Sequence, residues 1–384
     1  MRWGTASLSF LIATAACALA APRQQRIVND NGRFVGAVGC KSSSCHGGAG
    51  PKRSQYITWT QQDFHSRAYA VLVSSRSARM AETLHAASAT TDARCTVCHS
   101  AFASVDPARV LPSAHPDEGI SCENCHGAAS GWVRSHTRSD WNYATRVGAG
   151  MHDLRNLYVR ANACVACHQN VEPDLLKAGH PELRFELDSQ SESEPKHWRD
   201  DDPWIGPHSW LTGQAVALRE ISWALTQRPT DEDEKARWSA LTWLLAKTVG
   251  VETGAANRSA PVFAANTSDY VEMQRTADEF ARAAPQWPFD ESMCVQMLRS
   301  FAATDAEFTT KANMPVALLA RRGERLVLGI ERLAAALQAK GRALNLDTEL
   351  KSLRDDVRPL DQFDGGRFAS HLQALSQALA QRTR

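Results

Sequence analysis

Apolar positions divide the chain into two unlike halves. From Trp210 onward they recur every three to four residues with few glycines between them, the spacing that lines one face of an α-helix. Residues 209–227, 233–251 and 315–339 carry the pattern strongly, and 269–284 and 368–382 more weakly. Trp223, Trp238 and Trp243 fall at the same spacing and are expected in the core of an all-α, bundle-like domain. Between residues 28 and 205 the text changes. Gly, Pro, Ser, His and Cys are dense, apolar runs are short, helices are expected at 59–75 and around 151–168, and the cysteine motifs are expected on short helices or loops. The polar, Pro-containing stretch 188–207 separates the two textures. Together they predict a mainly α fold, with little regular structure over residues 21–207 and a helical domain over 208–384.

Residues 1–20 match neither half. Arg2 precedes Leu8, Phe10, Leu11 and Ile12, which are embedded in small residues, and Ala18-Leu19-Ala20 supplies the small-x-small pattern of a signal-peptidase site. The run is too short to span a bilayer comfortably, and no other segment has 18 consecutive apolar residues. The expectation is a periplasmic protein, exported through a cleaved signal peptide and not integral to a membrane. Over all 384 residues, 43 basic side chains balance 42 acidic ones. That balance gives no electrostatic case for nucleic acid or for an anionic membrane surface.

Export makes the cysteines informative, because unprotected thiol pairs outside the cytosol tend to oxidise. Apart from Cys17 in the signal and the isolated Cys294, eight cysteines lie between residues 40 and 167, all in pairs. Three pairs are Cys-x-x-Cys: Cys95/Cys98, Cys122/Cys125 and Cys164/Cys167. Each is followed at once by a histidine: His99, His126 and His168. Histidine is 13 of 384 residues, so three such adjacencies would arise by chance about once in 27,000. The chemistry of covalent haem needs this arrangement. Two sulfurs form thioethers with the vinyl groups on one porphyrin edge, and the next residue gives its imidazole to the iron. A zinc ribbon or a disulfide leaves the histidines unexplained. The fourth pair, Cys40 and Cys45 in "CKSSSCHGG", is stretched but keeps His46 directly after Cys45. Beside three intact sites it reads as a fourth, with Ser42, Ser43 and Ser44 bulging from the ring or with attachment through Cys45 alone. Four haem c groups are expected, and their apolar bulk would replace the aliphatic core this half lacks.

A second axial ligand decides whether such an iron carries electrons or binds a small molecule. Nine histidines lie outside the motifs: His65, His85, His115, His136, His152, His180, His197, His208 and His371. His65, His85, His136 and His180 lie in helical or turn contexts near the motifs, whereas His371 sits in the far helical half. Met80 and Met151 have no motif around them.

The haem-bearing half resembles the cytochrome c-554 family of tetrahaem electron carriers, through "WTQQDFHSRAY" after the first site and "GISCENCHGAASGWVRSH" around the third, with "CTVCH" and "CVACH". "AGHPELRFEL" and "KHW" are similar to segments of longer exported multihaem cytochromes with a helical C-terminal extension. The resemblance covers roughly residues 35–210. It implies that His136 serves the haem of His46, His65 that of His126, and His180 that of His168. The haem of His99 would be five-coordinate, or closed by His85. The function it implies is electron transfer between redox partner proteins, with docking to a membrane or periplasmic redox complex. The alternative is an oxidoreductase acting on hydroxylamine, nitric oxide or nitrite at an open haem.

Overall fold

The computed structural model describes residues 32–251, 263, 269–309 and 314–382; the expected signal segment lies outside them. Among the described residues there are sixteen α-helices and no β-strand, and the nearest approach to a sheet is an isolated parallel bridge between Phe34 and Val110. The fold is mainly α, as the periodicity predicts.

Helices of the first half are short: α1 (Gln55–Gln62), α2 (Ala68–Leu72), α3 (Ser75–Thr83), α4 (Ala93–His99), α5 (Cys122–His126), α6 (Tyr143–Gly148), α7 (Leu157–His168), α8 (Pro173–Lys177) and α9 (Leu187–Ser193). The single helix expected over 59–75 is interrupted. Asp63 is extended, and its carboxylate accepts the His65 amide at 2.8 Å, which starts a separate 3-10 turn at Phe64–Arg67. The helix expected over 151–168 begins only at Leu157, where the Asn156 side chain accepts the Tyr158 amide at 3.0 Å. Apart from the segments that join the main core, this half buries two small apolar clusters. One is Phe34, Phe102, Ala114 and Ala128; the other is Leu72, Ala81 and Ala89. That is little apolar bulk for such a length of chain.

The second half contains α10 (Ile205–Gln227), α11 (Glu232–Val249), α12 (Tyr270–Ala283), α13 (Glu291–Ala302), α14 (Val316–Ala339), α15 (Asp347–Asp356) and α16 (Gly365–Arg382). Asp231, Asp269 and Asp290 cap α11, α12 and α13 by accepting an amide of the first turn. Helix α10 is buried on nearly every face from Pro207 to Leu225 and packs against α7, α9, α11, α12 and α14. Trp238 and Trp243 are buried and Trp223 is half-buried.

The core of this half does not stop at the expected boundary. Leu157, Ala161 and Val165 recur at four-residue spacing on α7 and join the same cluster as α10, together with Phe185 and Leu187. Polar ties reinforce the junction. Arg219, buried in α10, donates to Asn162 of α7 at 2.7 Å and to Asp278 of α12 at 2.7 Å. Arg325 of α14 donates to the Phe185 carbonyl at 3.1 Å and to Gln214 at 3.0 Å. One face of α7 is thereby fixed to the helical half, and its C-terminal end carries Cys164, Cys167 and His168 toward the first half.

Candidate functional site

Three of the four cysteine motifs form the ends of helices. α4 ends at His99, α5 at His126 and α7 at His168. In a helix, positions i, i+3 and i+4 share a face, so Cys-x-x-Cys-His presents two sulfurs and an imidazole together. Asp92 starts α4 by accepting the Arg94 amide at 2.8 Å, and Asn124 reaches back to the Ser121 amide at 2.7 Å to start α5. The first site is built differently. Cys40 closes a 3-10 turn, Ser42, Ser43 and Ser44 are exposed, and the loop folds back so that the His46 amide donates to the Cys40 carbonyl at 3.2 Å. A Cβ on Gly47 would lie 1.8 Å from the Lys41 carbonyl oxygen, so only glycine allows this return.

Each motif histidine faces one histidine from elsewhere in the chain. The ring centroids of His46 and His136 are 6.1 Å apart, those of His168 and His65 5.9 Å, His99 and His180 6.5 Å, and His126 and His197 6.3 Å. With metal–nitrogen bonds of about 2 Å and roughly 1.1 Å from ring centre to nitrogen, two imidazoles on opposite sides of one metal ion stand about 6 Å apart. All four pairs have that separation.

The hydrogen bonds of these rings agree. His136 Nδ1 donates to the Val133 carbonyl at 2.7 Å, His180 Nδ1 to Pro181 at 2.8 Å, His197 Nδ1 to Pro195 at 3.4 Å and His99 Nδ1 to Ala68 at 3.1 Å. His46 Nδ1 meets Gln55 Oε1 at 3.0 Å. A proton held at Nδ1 leaves the Nε2 lone pair free for a metal. Burial pushes His126 and His168 each down to about 4 and also lowers His99 and His136, which keeps these imidazoles neutral, the form that ligates. His65 differs. Its Nδ1 stands 3.1 Å from Asp63 Oδ1 and 3.4 Å from Glu194 Oε1, and these two carboxylates push it up to about 10.

A cavity of about 1770 Å³ runs between three of the four pairs, all but His46 and His136. Single-ligand pockets span roughly 300–1,000 Å³, so this volume suits several large flat groups better than one. Cys95, Cys98, Cys125, Cys164 and Cys167 line it, as do six of the eight paired histidines. Burial raises the Cys95 and Cys125 thiols and pushes Cys164 up to about 12. Zinc needs thiolates, which this environment disfavours, whereas a thioether carries no charge. The residues therefore fit covalent haem: cysteine pairs on one face, a neutral imidazole below, a second imidazole at the right distance, and apolar room between.

The sites adjoin in a definite order. The Val35 and Gly36 amides, just before the first motif, donate to Glu123 of α5, and α7 packs against both α5 and α4. The motif-bearing segments therefore adjoin in the order first, third, fourth and second, the order of His46, His126, His168 and His99.

The ring pairs differ in part from those the resemblance implies. His136 does stand opposite His46. His65, expected to serve His126, faces His168 instead, because Asp63 starts a new turn that redirects it. His180, expected at His168, faces His99, to which no other closing histidine but His85 had been assigned. His85 is exposed at φ 52° after α3 and lies outside the cavity lining. The partner of His126 is His197, a residue that sequence reasoning counted but gave no role. Its signal was "KHW": Trp198 donates to Asp200 at 3.0 Å, and Asp200 pairs with Arg160 of α7 at 2.8 Å, which holds His197 over the third motif. His152 props that motif by donating from Nδ1 to the Cys125 carbonyl at 2.9 Å. His208 is bonded to Asp202 and Trp287, and His371 to Asp356.

Residues 39–127 match the family described as Cytochrome c554 and c-prime. The matched span contains the first three motifs; the fourth and the whole helical half lie beyond it. No curated protein and no solved structure matches the chain. A c-type cytochrome binds haem c covalently, and no helix among the described residues is long and apolar enough to cross a membrane.

Proposed function

We propose that this chain, a c-type cytochrome with a c554-like first part, is an exported electron carrier holding four haem c groups between His46 and His136, His126 and His197, His168 and His65, and His99 and His180. The observation that carries this reading is the spacing of 5.9–6.5 Å between the rings of each pair. Bound haem c supplies a one-electron iron couple at each site. The chain's residues do the rest. The cysteines would tether each group, and the paired imidazoles would hold its iron from both sides. Carbonyl oxygens hold the Nδ1 protons and so fix the ring planes. Ligation by histidine on both sides favours low potentials, since methionine is what raises them.

The order of the sites suits a relay whose ends are the His46/His136 and His99/His180 sites, where redox partner proteins would dock. The helical half acts as a buttress: α10 and α14 immobilise α7 and residues 183–188, between the last motif and the histidines that follow it. An oxidoreductase of hydroxylamine, nitric oxide or nitrite would need an open position at the iron of His99. The ring of His180 stands 6.5 Å from that of His99, which favours the carrier. Residues 1–20 support periplasmic export. Haem stoichiometry on the purified, exported protein tests the reading. Four haems per chain are expected; three would remove the stretched first site from the relay.

A further inference from the structure

Three of the four histidines that face the motifs donate Nδ1 to neutral backbone carbonyls: His136 to Val133, His180 to Pro181 and His197 to Pro195. His65 alone among them meets carboxylates, Asp63 Oδ1 at 3.1 Å and Glu194 Oε1 at 3.4 Å. The two come from distant parts of the chain, with Asp63 at the turn that starts His65's own 3-10 helix and Glu194 just after α9. Asp63 is held in place independently, because its Oδ1 also accepts the His65 amide at 2.8 Å. Both line the cavity beside His168.

A carboxylate that accepts the Nδ1 proton of a metal-bound imidazole draws that proton toward itself and makes the ring a stronger, more anionic donor. Negative charge beside a ligand also favours the more positive metal. Both effects stabilise ferric over ferrous iron. We propose that Asp63 and Glu194 are positioning residues that set the haem between His65 and His168 apart as the lowest-potential, last-reduced haem of the four. The inference rests on the reading that His65 ligates that iron. It gives the relay a high step at its third site, next to the terminal site of His99.

The test uses the full-length holoprotein and a redox titration followed through its low-spin EPR signals. Asp63→Asn keeps Oδ1 for the His65 amide, and Glu194→Gln changes a partly exposed side chain, so each alters charge with little change of shape. In the double variant one haem is expected to gain about tenfold in its reduced-to-oxidised ratio at fixed potential, a rise of about 59 mV for a one-electron couple. The other three midpoints should stay in place and all four haems remain low-spin. Four unmoved midpoints, or four moving together, overturn the proposal. His65→Ala separates it from the reading beneath: one haem becoming high-spin upholds the ligation, and four low-spin haems overturn ligation and tuning together. If Asp63→Asn does not assemble, Glu194→Gln alone is expected to raise the same single midpoint, and its failure to do so overturns the role of Glu194.

Discussion

Glu123 lies inside the third motif, between Cys122 and Cys125, and is 1% exposed. Its carboxylate accepts the Val35 amide at 3.0 Å on both oxygens, the Gly36 amide at 2.7 Å and the Ala129 amide at 2.6 Å. One side chain thus ties the start of the described chain to the loop after α5, in a region with almost no core of its own. Burial pushes its carboxyl up, and the three amide donors oppose that shift. Glu123→Ala leaves three donors without their acceptor, each costing roughly 1–3 kcal/mol when buried. The three losses sum to roughly 3–9 kcal/mol, and recovering the cost of burying the carboxylate keeps the total in the lower part of that, about 4 kcal/mol. Glu123→Gln keeps one carbonyl oxygen but turns an NH₂ toward one of the amides, for a loss of about 2 kcal/mol. Guanidinium unfolding of the holoprotein, followed by Soret absorbance, should order the three as parent, Gln, Ala. An Ala variant within about 1 kcal/mol of the parent would refute the reasoning, because surface substitutions alone stay near that range.

Three further outcomes follow from the same geometry. His197→Ala should convert one haem to high-spin with all haem retained by its thioethers, while His85→Ala leaves the spectrum unchanged; optical and EPR spectra decide. Gly127, at φ 85°, would place a Cβ 2.8 Å from His152 Cδ2, so Gly127→Ala should cost about 2 kcal/mol or more and shift the melting midpoint down. Burial pushes Asp188 up to about 7 against the pull of Arg332 at 2.6 Å. Its folded pKa exceeds the unfolded value of about 3.9, so its contribution is complete below that pH and is lost as pH rises through about 7. Asp188→Asn should therefore gain on the parent in melting midpoint from pH 4 to 8, and a constant gap between the two would contradict this.

The helical half was legible because its apolar spacing is strong. Every helix expected there is present, within a few residues of its predicted ends. α15 left little trace because only Leu353 and Asp356 of its ten residues are buried. α13 was not expected, because its apolar spacing, Met293, Met297 and Phe301, runs over only twelve residues. The four motifs could be read because covalent chemistry forces cysteine and histidine into adjacent positions. Which histidine stands opposite which could not be read this way. The facing histidine is placed by tertiary packing, as Asp63 redirects His65 and Arg160 with Asp200 fixes the segment of His197. Spacing from a motif carries no such information, and the resemblance assigned His65 and His180 to neighbours they do not face. The expected boundary at 207 marks a change of texture in sequence, while the packed core runs through it on α7 and α10.

The central claim is that every iron site has two histidines. EPR of the fully oxidised holoprotein, before and after nitric oxide, tests it most directly. Four low-spin signals untouched by nitric oxide are the predicted result. A high-spin component that nitric oxide abolishes would contradict it, and would mark an open iron and a catalyst rather than a carrier.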